Sequence, residues 1–393
     1  ISYDGMLEPL GKSQVLAYLK RLANGRRIHL ISFEKADDWA NVAERVRLAR
    51  DIASAGIAWH PLRYHKAPSV LATAFDIMQG IIVGVWLCVR YKIKIIHARS
   101  YIPSVIALTL KKLFNVKYIF DMRGFWADER IDGGLWPKGG RIYRVAKWFE
   151  KRFLLSADSV VSLTNAAVDE MKKFDYLQGR LPNFKVITTC TDLNLFDFKK
   201  TNINNSSKES FVLGYVGSVG VWYLFDETLN CFKLILEKVP SAQLHIINRG
   251  GHQYIRERLI DKRINPNKVM IETSDHAGVA KAMQSMDVGI FFIKPVYSKM
   301  SSAPTKLGEF LGCGIPCLSN TKVGDMAVIL NDEKVGVALD SFDETSMKLG
   351  IEELMTLLND PEIRERCRST ALKYFSLDIG VRSYNHIYNR LIS

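Results

Sequence analysis

Cysteine is sparse in this sequence: the 393-residue chain has six, and none of them belongs to a CxxC pair. Scattered cysteines exclude a disulfide framework and a cysteine-based metal cage, and they are typical of a reducing, cytoplasmic compartment. The eight histidines are dispersed in the same way, so the sequence predicts no metal site. The cysteines are Cys88, Cys190, Cys231, Cys313, Cys317 and Cys367.

A signal peptide is also lacking at the start of the sequence. Residues 1–3 resemble the end of a strand already under way, so we expect a few residues to precede them. An apolar run at residues 77–89 contains Gln79 and is too short to span a bilayer. We therefore predict a buried helix at 77–89.

Acidic residues are in deficit in the first half of the chain. Residues 1–200 have 32 lysines and arginines against 19 aspartates and glutamates, whereas the remaining residues have 22 of each sign. A basic excess confined to one half predicts an anionic partner there, namely a membrane surface, a lipid phosphate or a nucleic acid. No nucleic-acid-binding motif accompanies the charge, so we expect an anionic membrane surface rather than a nucleic acid.

The length and the 48% hydrophobic content are sufficient for two cores and predict two domains. Residues 198–210 are polar and lack apolar periodicity, so we interpret them as the linker. Residues 186–192, just before it, are predicted to close the sheet of the first domain. The predicted domains are residues 1–200 and 201–378, and residues 379–391 form an apolar, tyrosine-bearing helix that needs burial.

Strand-like runs alternate with helical segments in both halves. This alternation predicts α/β domains with doubly wound parallel sheets and helices on both faces. Ligands of such sheets lie at the carboxyl ends of the strands, and two domains whose strand ends face one another would enclose a nucleotide. The runs are 28–33, 94–97, 117–120, 159–163, 211–216, 243–247, 269–271 and 288–293.

Polar residues follow two of these runs in the first half, where His97, Asp121 and Arg123 are candidate site residues. Residues 121–136 combine acids, two arginines and two tryptophans in a loop-like context, which suits a polyhydroxylated or phosphorylated ligand. Beyond Arg123 the alternative is a solvated loop in which Asp128, Glu129 and Arg130 pair with one another.

Residues 141–153 have the pattern of a basic amphipathic helix, in which arginines and lysines interleave with apolar residues. One interpretation is a helix that lies on an anionic membrane. The other is an ordinary helix whose apolar stripe packs on the sheet. Both hold if Trp148 lies at the edge.

The chain is organised around residues 295–320, PVYSKMSSAPTKLGEFLGCGIPCLSN. Ser301, Ser302 and Pro304 predict a helix start with a hydroxyl cap and a proline in the first turn. Gly312 and Gly314 predict the end of that helix before an apolar strand resumes at 315–318.

The start of this predicted helix is a candidate anion site. Free N–H groups near Ser302, Pro304 and Thr305, beside the ammonium of Lys306, suit a diphosphate. The carboxylate of Glu309, one turn further on, is placed to accept hydrogen bonds from a ribose. The alternative is a capped helix with an exposed Lys306–Glu309 pair.

Loops after other strand-like runs supply further candidates. In the first half, a loop flanked by Gly5 and Gly11 opens a helix, although its spacing is not GxGxxG and an ordinary turn is the alternative. In the second half the candidates that follow strands are Gly217, Ser218, Gly220, Arg249, Thr273 and His276.

Together these motifs resemble the glycosyltransferase family 4 enzymes of bacterial polysaccharide pathways. The resemblance covers nearly the whole chain in order and implies a GT-B fold with two Rossmann-like domains facing each other across a cleft. The first would bind the acceptor, the second the donor, and the last helix, 379–393, would cross back to the first. The matching segments are SYDGMLEPLGKSQV, IIHARS, FDMRGFWADER, VITTCTDLNLF, YVGSVG and SSAPTKLGEFLGCGIP.

The resemblance also implies the activity. A sugar would move from a UDP- or GDP-sugar to a hydroxyl of a lipid-linked or oligosaccharide acceptor, with retention of anomeric configuration and without a metal or resident cofactor. The enzyme would act in cell-surface polysaccharide synthesis, in the cytoplasm at the inner face of the membrane.

Residue roles carry over one by one. Glu309 matches the family glutamate that holds the ribose hydroxyls, and Lys306 stands where a lysine would meet the diphosphate. Gly5 and Gly11 match the glycine loop against the donor. We predict that Arg249 or Lys306 stabilises the leaving group.

Four positions depart from the family. Ser301 replaces a glutamate that touches the transferred sugar, Ser218 and Val219 replace an Arg and a Lys, and Asp121 replaces a histidine. We predict that Asp121 and His97 orient the acceptor hydroxyl or the sugar. A sugar-nucleotide epimerase on the same fold is one alternative; a nucleotide-sugar-binding protein without catalysis, suggested by Ser301, is the other.

Overall fold

In a computed structural model of the protein, residues 1–198 and 211–392 are described, so nearly all of the predicted linker at 198–210 lies outside the described residues. The chain divides into two compact units. Unit 1 comprises Ile1–Thr188 and Leu377–Ser393, and unit 2 comprises Thr189–Ser376. Both units are α/β, with parallel strands throughout the named sheets.

The strands in chain order are β1 Ile28–Glu34, β2 Ile57–Arg63, β3 Ile95–Arg99, β4 Lys117–Asp121, β5 Ser159–Ser162, β6 Phe184–Val186, β7 Val212–Val216, β8 Gln243–Ile247, β9 Val269–Glu272, β10 Val288–Ile290, β11 Cys317–Asn320 and β12 Gly336–Leu339. The helices are α1 Pro9–Gly11, α2 Ala17–Leu22, α3 Ala36–Ala40, α4 Val42–Ser54, α5 Ser69–Tyr91, α6 Tyr101–Phe114, α7 Trp126–Asp132, α8 Arg141–Ser156, α9 Asn165–Lys172, α10 Phe225–Lys238, α11 His252–Asp261, α12 His276–Met283, α13 Thr305–Gly312, α14 Met326–Asp332, α15 Glu344–Leu358, α16 Ile363–Tyr374 and α17 Leu377–Ile392. A π-helical segment, Lys12–Leu16, joins α1 to α2.

Unit 1 contains a two-stranded sheet, β1–β2, and a four-stranded sheet in the order β3–β4–β5–β6. Strand pairing is in register from Ile28 opposite Ile57 and from Ile95 opposite Lys117. The two sheets are bridged at one end by the first two residues. The Ile1 nitrogen donates to the His97 carbonyl at 2.7 Å, and the Ser2 N–H donates to the Ile31 carbonyl at 2.9 Å.

Unit 2 has one six-stranded parallel sheet in the order β12–β11–β10–β7–β8–β9. The chain runs outward from β7 to β9 and then returns to place β10 on the other side of β7. The sheet therefore has its topological switch point between β7 and β10, where ligands of doubly wound sheets bind. Its core is rich in buried phenylalanine, including Phe225, Phe232, Phe291, Phe292 and Phe310.

The helix α17 belongs to unit 1, although it follows unit 2 in sequence. It packs on α2 and β3, and Asp378 forms an ion pair with Arg21. Tyr384, Ile387 and Tyr388 are buried there, which satisfies the need for burial expected from the sequence.

The structure corrects the predicted end of the first sheet. The edge strand of the four-stranded sheet is β6, which ends at Val186, so residues 187–192 do not continue it. The segment after Thr188 packs in unit 2, because Leu193 and Phe196 lie in its core and the Thr191 N–H donates to the Phe375 carbonyl at 2.7 Å. The units divide at 188/189 and 376/377, whereas the sequence had placed the boundaries at 200/201 and 378/379.

The helix predicted at 77–89 is confirmed, but the prediction that it is buried is wrong. α5 extends over 23 residues from Ser69 to Tyr91, and one of its faces is exposed. In the described part of the chain it is the helix that is long and apolar enough to cross a membrane. The loop predicted at 121–136 is also wrong in part, since Trp126–Asp132 forms α7. Within α7, Asp128 pairs with Lys147 at 3.0 Å rather than with Arg130.

Candidate functional site

Lys306 lies on α13, beside the switch point of the unit 2 sheet. Its side chain is only 6% exposed, and its Nζ has no hydrogen-bond partner among the described residues. The ammonium lies 3.9 Å from the ring centroid of Tyr223 and 5.4 Å from those of Tyr215 and Phe291. Aromatic faces attract a cation, but they do not replace the hydrogen bonds that it loses on leaving water.

The turn after β7 leaves room for this ammonium. Gly217 has a φ of +117°, and a Cβ at that position would lie 2.8 Å from the Lys306 Nζ. The Gly217 carbonyl accepts a hydrogen bond of 2.8 Å from the Asn248 Nδ2, which holds the turn in place. A side chain at residue 217 would therefore displace Lys306.

Burial lowers the pKa of Lys306 from 10.5 to about 7, and the nearby carboxylate of Glu309 opposes this only in part. The charged form is therefore poorly compensated in the protein alone. An anion within hydrogen-bond distance would supply the missing partner and raise the pKa again.

The helix start beside Lys306 differs from the prediction. Pro304 is itself the N-cap residue and no side chain caps the helix, so the expected hydroxyl cap is wrong. The Ser302 N–H donates to the Lys299 carbonyl at 3.1 Å and is not free for an anion. A 3₁₀ turn, Tyr297–Ser301, precedes it and uses this donor. The N–H groups of Thr305 and Lys306, in the first turn of α13, have no helical acceptor.

Glu309 is 8% exposed and lies one turn along α13 from Lys306. Its Oε1 is 3.4 Å from the Nε2 of His276, and this interaction raises the pKa of His276. The alternative of an exposed Lys306–Glu309 pair is wrong, because both side chains are buried and Lys306 makes no hydrogen bond. The sequence had placed His276 among the residues that follow a strand, but its pairing with Glu309 was not predicted.

The loops after β8 and β9 meet at Asn248, a residue that the predicted site lacked. Asn248 is buried, donates to Gly217 and accepts a hydrogen bond of 2.6 Å from the Gly251 N–H. Thr273 joins this group through a hydrogen bond of 3.2 Å from its hydroxyl to the Asn248 carbonyl. Arg249, the next residue, is exposed and forms no ion pair among the described residues.

Ser218 and Gly220 are the remaining candidates in the turn after β7. The Ser218 carbonyl accepts a hydrogen bond of 2.6 Å from the Tyr215 hydroxyl. Gly220 has a φ of +81°, and a Cβ there would meet no atom within 4 Å. The structure thus brings Gly217 and Lys306 into contact and leaves Gly220 open.

A second polar cluster lies in unit 1, at the carboxyl ends of β3 and β4. The Oδ2 of Asp121 accepts a hydrogen bond of 3.0 Å from the Tyr384 hydroxyl and lies 3.4 Å from the Nε2 of His97. The Nδ1 of His97 is 2.7 Å from the Tyr388 hydroxyl. The two tyrosines come from α17, so this cluster depends on the last helix.

The charges of this cluster compensate one another. Burial would raise the pKa of Asp121, but Arg123, His97 and Arg99 together lower it to about 2. Arg99 also bonds the carboxylate of Asp4 at 3.2 Å. Burial lowers the pKa of His97. Arg123 has a φ of +59°, a strained conformation for a side-chain-bearing residue that is typical of functional sites.

The loop with Gly5 and Gly11 has backbone N–H groups that already donate hydrogen bonds within unit 1. The N–H groups of Met6 and Leu7 donate to the carboxylate of Glu34 at 2.9 and 3.3 Å. A Cβ on Gly11 would lie 2.0 Å from the Gly5 carbonyl oxygen, so this close approach requires a glycine. In unit 1 these N–H groups are thus already satisfied by an acid.

Unit 1 also encloses a cavity of about 540 Å³ between β1 and β3, with His97 and Asp121 at one end. In residues 1–198 and 211–392, no group of three acidic, histidine or cysteine side chains is placed to hold a metal ion. All six cysteines are buried, and none of them is in a disulfide.

Two family models match the chain. The model described as "Glycosyl transferases group 1" matches residues 197–374, within unit 2, and the "Glycosyl transferase 4-like domain" matches residues 15–180, within unit 1. No curated protein sequence matches the chain.

Solved structures share the fold over nearly the whole length. A glycosyltransferase from Rickettsia africae ESF-5 has a TM-score of 0.71 and 13% identity, covering 96% of this chain and 94% of that one. Anabaena Alr3699/HepE in complex with UDP-glucose has a TM-score of 0.65 and 14% identity, covering 99% and 98%. The lipopolysaccharide outer core galactosyltransferase WaaB, in apo form, has a TM-score of 0.62 and 12% identity, covering 99% and 98%. One family model matches each unit, so that residues 15–180 and 197–374 are both covered, and the chain belongs to the family-4-type glycosyltransferases, whose GT-B fold the solved structures share.

Proposed function

We propose that the protein is a retaining glycosyltransferase that moves a sugar from a UDP- or GDP-sugar to a hydroxyl of a lipid-linked glycan. The observation that carries the proposal is the buried ammonium of Lys306, which has no hydrogen-bond partner at the switch point of the unit 2 sheet. A diphosphate supplies the charge and the acceptor oxygens that this group lacks.

Transfer requires stabilisation of the departing phosphate. Breaking the anomeric C–O bond builds negative charge on the diphosphate. The ammonium of Lys306 and the backbone N–H groups of Thr305 and Lys306 would stabilise this charge. One such hydrogen-bond donor lowers the activation free energy by ~3 kcal/mol. Arg249, exposed beside Asn248, would add a second cation on donor binding. Glu309 would accept hydrogen bonds from the ribose hydroxyls.

Retention follows from attack on the same face that the phosphate leaves. The acceptor oxygen bonds to the anomeric carbon as the carbon–phosphate oxygen bond breaks, and the acceptor proton passes to the departing phosphate oxygen. No protein base is then required. With a pKa of about 2, Asp121 is ionised near neutral pH and is too weak a base to take this proton. Its role, with His97, is to orient the acceptor hydroxyl.

The acceptor and the location are part of the proposal. The basic surplus of residues 1–200 favours an acceptor with a lipid phosphate at an anionic membrane surface. WaaB, one of the similar structures, is titled a lipopolysaccharide outer core galactosyltransferase. We place the enzyme in polysaccharide synthesis at the cytoplasmic face of the membrane, acting without a metal or resident cofactor.

The test is a reaction with UDP- and GDP-sugars, with and without a lipid-linked oligosaccharide fraction, followed by proton NMR. We expect a new glycoside with the anomeric configuration of the donor, formed only when acceptor is present. Conversion of the donor to a different nucleotide sugar without acceptor would show an isomerase and reject the proposal. Inversion at the anomeric carbon would reject the retaining mechanism alone.

A further inference from the structure

The outer face of α5 is unlike that of an ordinary surface helix. Six large apolar side chains recur along it every three or four residues, and each is between 42% and 70% exposed. From Ser69 to Val89 the helix has no exposed charged side chain. An exposed apolar surface of this extent is typical of a binding site for a membrane or a partner. The six residues are Leu71, Phe75, Met78, Ile82, Trp86 and Val89.

The inner face of α5 fixes the helix to unit 1. A Cβ on Gly80 would lie 2.4 Å from the Ile106 side chain, and one on Gly84 would lie 2.5 Å from that of Leu110. The glycines therefore allow α5 to pack directly on α6. Buried residues recur on this face at four-residue spacing: Ala72, Asp76, Gly80, Gly84 and Cys88.

A buried polar group argues against a transmembrane orientation. At 23 residues, α5 is about 34 Å long, enough to cross a bilayer. However, Asp76 is fully buried and accepts hydrogen bonds from the Tyr3 hydroxyl at 2.8 Å and from His65 Nδ1 at 2.6 Å. A spanning helix would leave these partners and place a carboxylate in hydrocarbon. The inner face therefore stays on unit 1, and only the outer face is available.

Charge identifies what covers this outer face. Five exposed basic residues lie at the two ends of the helix: Arg63 and Lys66 before it, Arg90 in its last turn, and Lys92 and Lys94 after it. A helix that spans a membrane has its basic excess at one end. Basic residues at both ends are instead typical of a helix that lies in the interface of one anionic leaflet.

A second copy of the chain fits this surface poorly. Pairing two α5 helices would bring a basic end against a basic end in both the parallel and the antiparallel orientation. Like charges brought together across an interface oppose association. Lipid phosphates have the opposite charge and meet both ends at once.

We propose that the outer face of α5 inserts shallowly into an anionic lipid leaflet, with the five flanking basic residues on the lipid phosphates. Trp86 then lies at the level of the headgroups, where tryptophan is enriched. This inference extends the membrane-bound acceptor of the proposed function. It names α5, rather than α8, as the main contact.

The test uses flotation of the full chain with phosphatidylcholine vesicles, with and without phosphatidylglycerol. We expect binding to the anionic vesicles, and at least a tenfold loss of affinity in the Phe75→Glu/Ile82→Glu double variant. The matched control is Val328→Glu/Leu349→Glu, at two comparably exposed apolar positions of unit 2. It should bind vesicles like the wild type. Arg90→Gln/Lys92→Gln/Lys94→Gln should lose affinity for the anionic vesicles only.

Thermal unfolding and UDP-sugar affinity, unchanged in each variant, show that the fold is intact. Vesicle binding without any nucleotide-sugar binding would reject the proposed function and leave this inference standing. Equal flotation of wild type and the Phe75→Glu/Ile82→Glu variant would overturn the inference. So would a wild-type dimer that ignores vesicles and is dissociated by Ile82→Glu, because a second copy would then cover α5.

Discussion

The two units bury charge in opposite ways. In unit 2, Lys306 is buried among aromatic rings without a hydrogen-bond partner, and burial lowers its pKa to about 7. In unit 1, Asp121 is equally buried, but Arg123, His97 and Arg99 outweigh burial and lower its pKa to about 2. The carboxylate is thus stabilised by the protein itself, whereas the ammonium is not. We infer that unit 2 is completed by an anionic ligand and that unit 1 holds a preorganised polar cluster.

The largest effect is expected from removing the charge of Lys306, which tests whether the buried ammonium of unit 2 serves an anionic ligand. Lys306→Met removes the ammonium that we propose to stabilise the departing phosphate. Turnover should fall by about two orders of magnitude. Lys294→Met, at an exposed lysine four residues after β10, should leave turnover unchanged. Initial rates at saturating donor check this, and near-wild-type turnover of Lys306→Met would remove Lys306 from the mechanism.

A more selective change moves the ammonium without removing it. Gly217→Ala places a Cβ 2.8 Å from the Lys306 Nζ, so we expect donor affinity to fall about 30-fold through misplacement of the charge. Gly220→Ala is the control, since its φ is also positive but its Cβ meets no atom within 4 Å. Titration calorimetry with the donor distinguishes them. Equal losses in both variants would attribute the effect to backbone strain alone.

Asp121→Asn tests whether the neighbouring basic residues of unit 1 stabilise the Asp121 carboxylate. A carboxylate whose pKa falls from about 3.9 unfolded to about 2 folded contributes about 2 kcal/mol to stability above pH 4, and this contribution is lost as the pH falls towards 2. The variant should therefore be less stable than the wild type at pH 7, and the difference should shrink at pH 3. Urea unfolding at both pH values measures it. A difference independent of pH would mean that the Asp121 charge is not stabilised by its neighbours.

Glu309→Gln should have the smallest effect. Loss of the negative charge weakens the hydrogen bonds proposed to the ribose, and nucleotide affinity should fall roughly tenfold with little change in turnover at saturation. The pKa of His276 should fall towards its ordinary value, because Glu309 raises it. NMR titration of His276 and calorimetry with the nucleotide provide the two readouts. Unchanged nucleotide affinity would reject the ribose role.

The order of the elements was accessible to sequence analysis because strand and helix periodicities are local. Runs of apolar residues located most strands to within two residues, and Lys306 and Glu309 stood out by their spacing on one short helix. The hydroxyl cap failed because Pro304 is the N-cap residue, and the Ser302 N–H is not free for an anion because it completes a 3₁₀ turn that no apolar pattern marks.

Contacts between segments that are distant in the chain could not be predicted from the sequence. Gly217 and Lys306 are 89 positions apart, and only the sheet order places one against the other. The pairing of His276 with Glu309 and the role of Asn248 have the same origin. The exposure of α5 was missed because its sequence is apolar on both faces and does not indicate which of them is buried. Only the fold shows which face packs on α6.

The most direct test of an uncompensated ammonium is proton uptake on donor binding. Above pH 7 the free protein loses the Lys306 proton, and a bound diphosphate raises the pKa and restores it, so UDP-sugar affinity should fall roughly tenfold between pH 7 and 8.5. Calorimetry at pH 8 in two buffers of different ionisation enthalpy should show nearly one proton taken up by the wild type and none by Lys306→Met. Binding without proton uptake, or equal uptake by both proteins, would contradict the account.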